Sequence, residues 1–260
     1  MPAGVHSTIM SEFERRLRRG EAIVGQWLSI GHPAVAEIAA READFAVVDT
    51  EHAPNNLETV TNVARAIERA DAAPIARVAW NDPVRIKRAL DTGVSGVLVP
   101  MVETADEARE AVAATRYPPE GVRGIAGSRA NDYGRELAEG VASADLVTIV
   151  QIETEGAVAN AGAIAAVEGV DALLVGPADL SGSLGVFGEY ESDRFREAIA
   201  SVLDRAAESN TPVGTLATGD EEIRLWGEYG FDYQIVGVDA GYLAQGAERA
   251  RTTYEGVSDG

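Results

Sequence analysis

Short runs of aliphatic and β-branched residues recur along the chain, with amphipathic stretches between them. The predicted strands are 23–28 (IVGQWL), 45–49 (FAVVD), 74–78 (PIARV), 96–100 (GVLVP), 147–153 (VTIVQIE), 172–176 (ALLVG), 212–217 (PVGTLA) and 233–237 (YQIVG). Between them, LETVTNVARAIERA, ADEAREAVAATR and SDRFREAIASVLDRAAES place apolar residues at helix spacing. Thr104 and Glu107 have capping-box spacing, Asn55 and Glu58 a looser version of it, and Asp82-Pro83 reads as an N-cap followed by an N1 proline.

Eight strand–helix alternations, with no linker or break in composition, predict one α/β domain over residues 1–260: a (β/α)8 TIM barrel with an N-terminal helix. A doubly wound sheet is the competing architecture, but no glycine-rich phosphate fingerprint follows the first strand. No internal repeat is evident, and the first residues and the terminal GVSDG read as frayed ends.

Composition narrows the chemistry. No apolar run reaches the ~18 residues of a membrane span and the N-terminus lacks a signal-peptide core, so the sequence reads as cytoplasmic. With no cysteine there is neither disulfide framework, thiolate nucleophile nor cysteine metal site. Forty-two acids against 22 bases give a formal charge of −20, which argues against nucleic acid as a partner. The acids are scattered, as on a halophile-type surface that stays soluble where salt screens self-repulsion. The one lysine, Lys87, lies between Ile86 and Arg88 on a short amphipathic helix, a poor address for a Schiff base.

A barrel of this kind carries its site at the C-terminal ends of the strands. There the chain places His52, Arg77, Gln151, Glu153 and Asp179. In VTIVQIET, alternation puts Val147, Ile149, Gln151 and Glu153 on one face, which turns polar at its last two positions. An inward glutamate needs a cation or hydrogen bonds; otherwise Glu153 caps the next helix. Asp179, in GPADLSGSLG, is by itself an ordinary turn or cap residue. Paired with Glu153 it suits a hard, oxygen-seeking ion such as Mg²⁺ or Mn²⁺. Arg77 shares parity with Ile75 and needs an anion, either substrate or an internal carboxylate.

The segments VVDTEHAPNN, RVAWNDPVRIKRALDTGVSGVLVPMVETADEAREAVAATRYPPEGVRG, VQIET, VEGVDALLVGPADLS and VGVD occur in that order between about residues 22 and 248. Together they resemble the HpcH/HpaI aldolase family, the class II pyruvate aldolases. The resemblance implies a hexamer built from dimers and a divalent ion (Mg²⁺, Mn²⁺ or Co²⁺). It also implies reversible cleavage of a 4-hydroxy-2-oxo acid, of the 2-keto-3-deoxy sugar-acid or 4-hydroxy-2-oxoheptanedioate type, to pyruvate and an aldehyde. On the matching positions, Glu153 and Asp179 are implied metal ligands, and Gln151, Arg77, Ala178 and Asp179 implied substrate contacts. His52 is the implied proton carrier with Asp91 orienting it, while Asp49 and Glu51 shape the site. Arg123 and Arg129 are left as distal-anion binders or inter-subunit bridges, and His32 as a loop residue that borders the site or faces solvent. Competing functions are a CoA-thioester lyase of the citramalyl or malyl type, an oxaloacetate decarboxylase using the same site, and a non-catalytic barrel, which predicts a damaged carboxylate pair.

Overall fold

A computed structural model of the chain describes residues 12–135, 137–142 and 146–258; the leading residues read as frayed lie outside these. A short helix α1 (12–18) leads into β1 (Val24–Leu28), α2 (Pro33–Ala40), β2 (Phe45–Asp49), α3 (Leu57–Arg69), β3 (Ala73–Arg77), α4 (Pro83–Leu90), β4 (Gly96–Val99) and α5 (Ala105–Thr115). A 3₁₀ segment (Arg129–Gly134) and α6 (Leu137–Ala142) precede β5 (Val147–Ile152), α7 (Glu155–Ala165), β6 (Ala172–Val175), α8 (Pro177–Ser183) and α9 (Asp193–Ala207). The chain finishes with β7 (Val213–Ala217), α10 (Asp220–Tyr229), β8 (Tyr233–Val238) and α11 (Asp239–Ser258). The eight strands are parallel and close in sequence order into a barrel, β8 pairing β1. All eight predicted strands are present, β2 with the predicted bounds and the others with one or both bounds moved by one residue.

Strand parity builds two cores. Inward residues, including Phe45, Val47, Ile75, Leu98, Ile149, Leu174, Tyr233 and Ile235, fill the barrel. Outward residues such as Val48, Val97, Val150, Ile152 and Leu173 pack under the helices with Ile67, Ile86, Leu90, Val202 and Trp226. The filling depends on two missing side chains: a Cβ on Gly25 would overlap the Phe45 ring, and one on Gly214 the Tyr233 ring. The lower end of the barrel is plugged by α1, whose Phe13 packs on Phe45 with ring centroids 5.2 Å apart.

The helix starts are chemically specified. Thr104 and Glu107 form the full capping box of α5, and Asp82 caps α4 ahead of Pro83. Asn56, not Asn55, caps α3, accepting from the Thr59 N–H. Asn55 is displaced from that role because its carboxamide donates to the carbonyls of Asp49 and Ser29.

The last helix departs from the pattern. Its first turn is tied to the barrel by the Tyr242 hydroxyl, which donates to Gln26 Oε1 and to the Val236 carbonyl. Residues 247–257 are exposed on every side, and the helix continues through Gly256–Ser258, part of the stretch read as frayed. On β8, outward Gln234 and Val236 are only half-buried, whereas β2, β3 and β5 are buried throughout.

Candidate active site

The side chains at the upper ends of β2, β3 and β5 converge because Asp49 and Arg77 close their strands on inward positions, and Gln151 and Glu153 carry the inward parity of β5 across its last residue, outward Ile152. Asp49 closes β2 and Arg77 closes β3, and the two are direct partners in the strand register. The Arg77 Nε–H and Nη2–H donate to Asp49 Oδ1 and Oδ2 at 2.9 and 2.7 Å, a bidentate pair with both side chains buried. Arg77 Nη1 lies 2.9 Å from Glu51 Oε2. The guanidinium also stacks over the Trp27 ring, 4.5 Å from its centroid. Burial raises the Asp49 carboxyl, but the Arg77 hydrogen bonds and charge outweigh it and hold the group below its usual range.

Arg77 is therefore an internal salt-bridge partner without exhausting its donors. Asp49 engages two of the five N–H groups. The remaining donors face Glu51, whose Oε2 accepts no hydrogen bond despite its closeness. The guanidinium is thereby held as a fixed, planar cation.

At the end of β5, Gln151 Nε2 donates to Glu153 Oε2 at 2.6 Å, and the Met101 N–H donates to Glu153 Oε1, also at 2.6 Å. Glu153 does not cap the following helix; Thr154 does, accepting from the Ala157 N–H. Met101 reaches Glu153 from a left-handed backbone conformation (φ 55°), a strained arrangement for a non-glycine residue. Gln151 Oε1 is buried and unpartnered. Burial pushes the Glu153 carboxyl up to about 7; the Met101 N–H opposes this, and the charges of Asp179 and Glu51 add to it. Glu51 is likewise raised, first by burial.

Asp179 lies in the first turn of α8, a helix with no side-chain cap, and Ala178 beside it is exposed. Asp179 is exposed there, and its charge raises both Glu153 and Glu51. Two carboxylates and an orphan amide oxygen are hard donors suited to a divalent cation. Among the described residues no cluster of three or more His, Cys, Asp or Glu side chains has metal-holding geometry. The donor set therefore fits an ion that fills its coordination from substrate and water.

His52 projects from the loop after β2. Its backbone N–H donates to Asp49 Oδ1, and its imidazole is 71% exposed, with Nε2 3.9 Å from Glu51 Oε1. Asp91, at the end of α4, accepts from Arg123 Nη2 at 3.2 Å and Ser128 Oγ at 3.3 Å; within this chain His52 pairs with Glu51 instead. Arg123 is buried over the Tyr117 ring, and Arg129 bridges Glu68 and the carbonyls of Thr92 and Gly93, so both are engaged internally. His32 caps α2 through Nδ1, accepting from the Ala34 N–H, and is exposed. Trp27 and Met101 carry no signal of their own in the sequence. Strand parity could have put Trp27 in the barrel, but only the register sets it against Arg77. A cleft of about 780 Å³ between α3 and α4 is lined by Thr50 and Val78, whose parity is outward, and so belongs to the outer surface.

The sequence model of the HpcH/HpaI aldolase/citrate lyase family matches residues 24–245. A 4-hydroxy-2-oxo-heptane-1,7-dioate aldolase from Escherichia coli is 40% identical over 243 residues, covering 92% of each chain. A 5-keto-4-deoxy-D-glucarate aldolase from the same species is 38% identical over 248 residues, covering 94% of this chain and 97% of its own. Among solved structures, an HpcH/HpaI aldolase/citrate lyase family protein from Burkholderia cenocepacia superposes with a TM-score of 0.89. It shares 35% identity, over 94% of this chain and 99% of that one.

Proposed function

The chain belongs to the HpcH/HpaI aldolase/citrate lyase family, and from that premise we propose that it cleaves a 4-hydroxy-2-oxo acid reversibly to pyruvate and an aldehyde, as a carbon–carbon lyase with a divalent ion. The observation that carries this reading is the convergence of Arg77, Gln151, Glu153 and the Asp179 charge at one end of a closed barrel.

Glu153 and Asp179 are the residues that would hold Mg²⁺, Mn²⁺ or Co²⁺. When bound, the ion supplies Lewis acidity at the 2-oxo group and offsets negative charge that develops there. Arg77, held flat by Asp49 and Trp27, donates to the carboxylate of the 2-oxo acid and fixes its orientation. Gln151 borders the same face, its free Oε1 open to a donor such as water or a substrate hydroxyl. His52 takes the proton of the 4-hydroxyl during cleavage and returns it during addition, directly or through one water. Ala178 and the first turn of α8 border the substrate beside Asp179.

The exposed α11, with Leu243 and Val257 facing solvent, supports a homo-oligomer of hexamer type. An unpacked helix of that length is marginal in water, and a second copy would bury it. The acidic surface supports function in high salt. No helix is long and apolar enough to cross a membrane among the described residues, and a cytoplasmic location fits.

The test avoids guessing the aldehyde. Pyruvate in D₂O at molar KCl, with Mn²⁺ or Mg²⁺, should lose its methyl protons to exchange, followed by NMR. Excess EDTA should stop it. Exchange that persists in EDTA overturns the metal assignment, and no exchange in folded, metal-loaded protein overturns the aldolase reading.

A further inference from the structure

His52 presents a problem that the mechanism leaves open. A proton carrier has to be placed to within a fraction of an ångström, yet this imidazole is mostly exposed, with Glu51 3.9 Å from its Nε2. Its position must be set by the backbone that carries it. That backbone is a short loop from Asp49 to Asn55 with Pro54 near its end.

Both ends of the loop are fastened to Asp49. At the start, the Glu51 and His52 N–H groups donate to Asp49 Oδ1 at 2.9 and 3.3 Å. At the finish, Asn55 Nδ2 donates to the Asp49 carbonyl at 2.8 Å. The same carboxamide donates to the Ser29 carbonyl at 3.3 Å, on the loop that follows β1. That loop is itself anchored, because the Ser29 and Ile30 N–H groups each donate to buried Asp239 at 2.9 Å. Asn55 thus links a fixed point beyond β8 to the carbonyl of the residue that clamps Arg77, and it closes the loop on whose apex His52 stands.

Room for this link is made at Gly31. A Cβ there would overlap Asn55 Oδ1 and the Thr59 methyl. The glycine lies outside the left-handed region, so its role is close approach rather than backbone freedom.

We infer that Asn55 is a positioning residue for proton transfer: its two donated hydrogen bonds, in the space left by Gly31, hold the Asp49–Asn55 loop so that His52 faces the substrate hydroxyl. The inference rests on the reading of His52 as the proton carrier. Neither Asn55 nor Gly31 is proposed to touch substrate.

The experiment is a mutant cycle on the metal-loaded full chain, with 4-hydroxy-2-oxoheptane-1,7-dioate cleavage as the probe reaction. Asn55→Ala should lower kcat by roughly 10²-fold, the scale of a 1 Å misplacement, while KM, set at Arg77 and the ion, moves less than about threefold. In a His52→Ala background the same substitution should have almost no further effect, because there is no imidazole left to misplace. Gly31→Ala, which keeps the carboxamide but crowds it, should reproduce the kcat loss and serves if Asn55→Ala does not fold. Full additivity of Asn55→Ala and His52→Ala, or an equal rise in KM, would overturn the positioning role. If His52→Ala alone keeps wild-type kcat, the proton-carrier reading fails first, and that result is distinct from a silent Asn55 beside an essential His52.

Discussion

The two ends of the barrel bury the same kinds of residue and treat them differently. At the lower end Asp171 is buried, and burial raises its carboxyl, but it accepts from the Thr148 N–H and from Arg18 Nε, both at 2.8 Å. At the same end, ahead of β2, half-buried Asp44 accepts from the Val24 N–H at 2.8 Å and Arg16 Nη1 at 2.5 Å. At the upper end Gln151 Oε1 accepts nothing, Glu51 Oε2 has the charge of Arg77 Nη1 at 2.9 Å but no hydrogen bond, and Glu153 is lifted to about 7. A satisfied carboxylate staples strands; an unsatisfied one waits for a partner from outside.

Removing a carboxylate should therefore have opposite consequences at the two ends. At the top, Glu153→Gln or Asp179→Asn should cut pyruvate exchange by about 10³-fold or more, the worth of several kcal/mol of charge stabilisation. Glu153→Gln should leave the metal-free melting point unchanged or raised, since burial disfavours the charged carboxylate and its two hydrogen-bond donors, Gln151 and the Met101 N–H, are both neutral. At the bottom, Asp171→Asn should cost about 1–3 kcal/mol in denaturant unfolding, because the Thr148 N–H and Arg18 lose a charged acceptor. Its exchange rate per folded molecule should stay at wild type. Full activity in either upper variant would sink the metal assignment.

Arg77 belongs to both regimes, and that sharpens the contrast. Arg77→Leu should abolish pyruvate binding and also destabilise by about 3–5 kcal/mol, since Asp49 is left buried without its cation. Arg77→Leu with Asp49→Leu should recover much of the stability and none of the activity. Arg77→Lys keeps a charge but loses the flat fork that matches Asp49 and stacks on Trp27. It should cost roughly 10²-fold in kcat/KM, mostly through KM. Equal recovery of stability and activity in the double variant would reduce Arg77 to a structural tie.

These outcomes bear on what the sequence could tell. Strand periodicity located all eight strands, and cap chemistry located the starts of α4 and α5. Parity alone turned Arg77, Gln151 and Glu153 inward. What it lacked was register. The meeting of Asp49 with Arg77 depends on which rung of β2 faces which rung of β3, and the Trp27 stack depends on closure of the barrel. Asn55 was misread as a cap for the same reason. Its spacing to Glu58 is local, whereas its actual partners, Ser29 and Asp49, are set by the fold. The orphaned oxygens are invisible in sequence, being defined by what is not nearby.

The smallest expected effect is a proton. In the metal-free fold Glu153 titrates at about 7, raised from the ordinary 4.5 chiefly by burial, so between these values the folded chain holds a proton that the unfolded chain has released. Stability of the metal-free protein should therefore fall as pH rises across that window, the reverse of an ordinary salt-bridged acid. An ion bound to Glu153 has to displace that proton. Calorimetric titration of Mn²⁺ in two buffers of different ionisation enthalpy should show close to one proton released per ion at pH 6 and almost none at pH 8. Apparent affinity should rise about tenfold per pH unit below 7 and flatten above it. Asp171 is also raised by burial, but it lies at the opposite end of the barrel, so Asp171→Asn should leave the release unchanged while Glu153→Gln removes it together with tight binding. No release at pH 6 in a protein that still binds Mn²⁺ would take Glu153 out of the ligand set, and the unsatisfied upper rim would then need a cation of another kind.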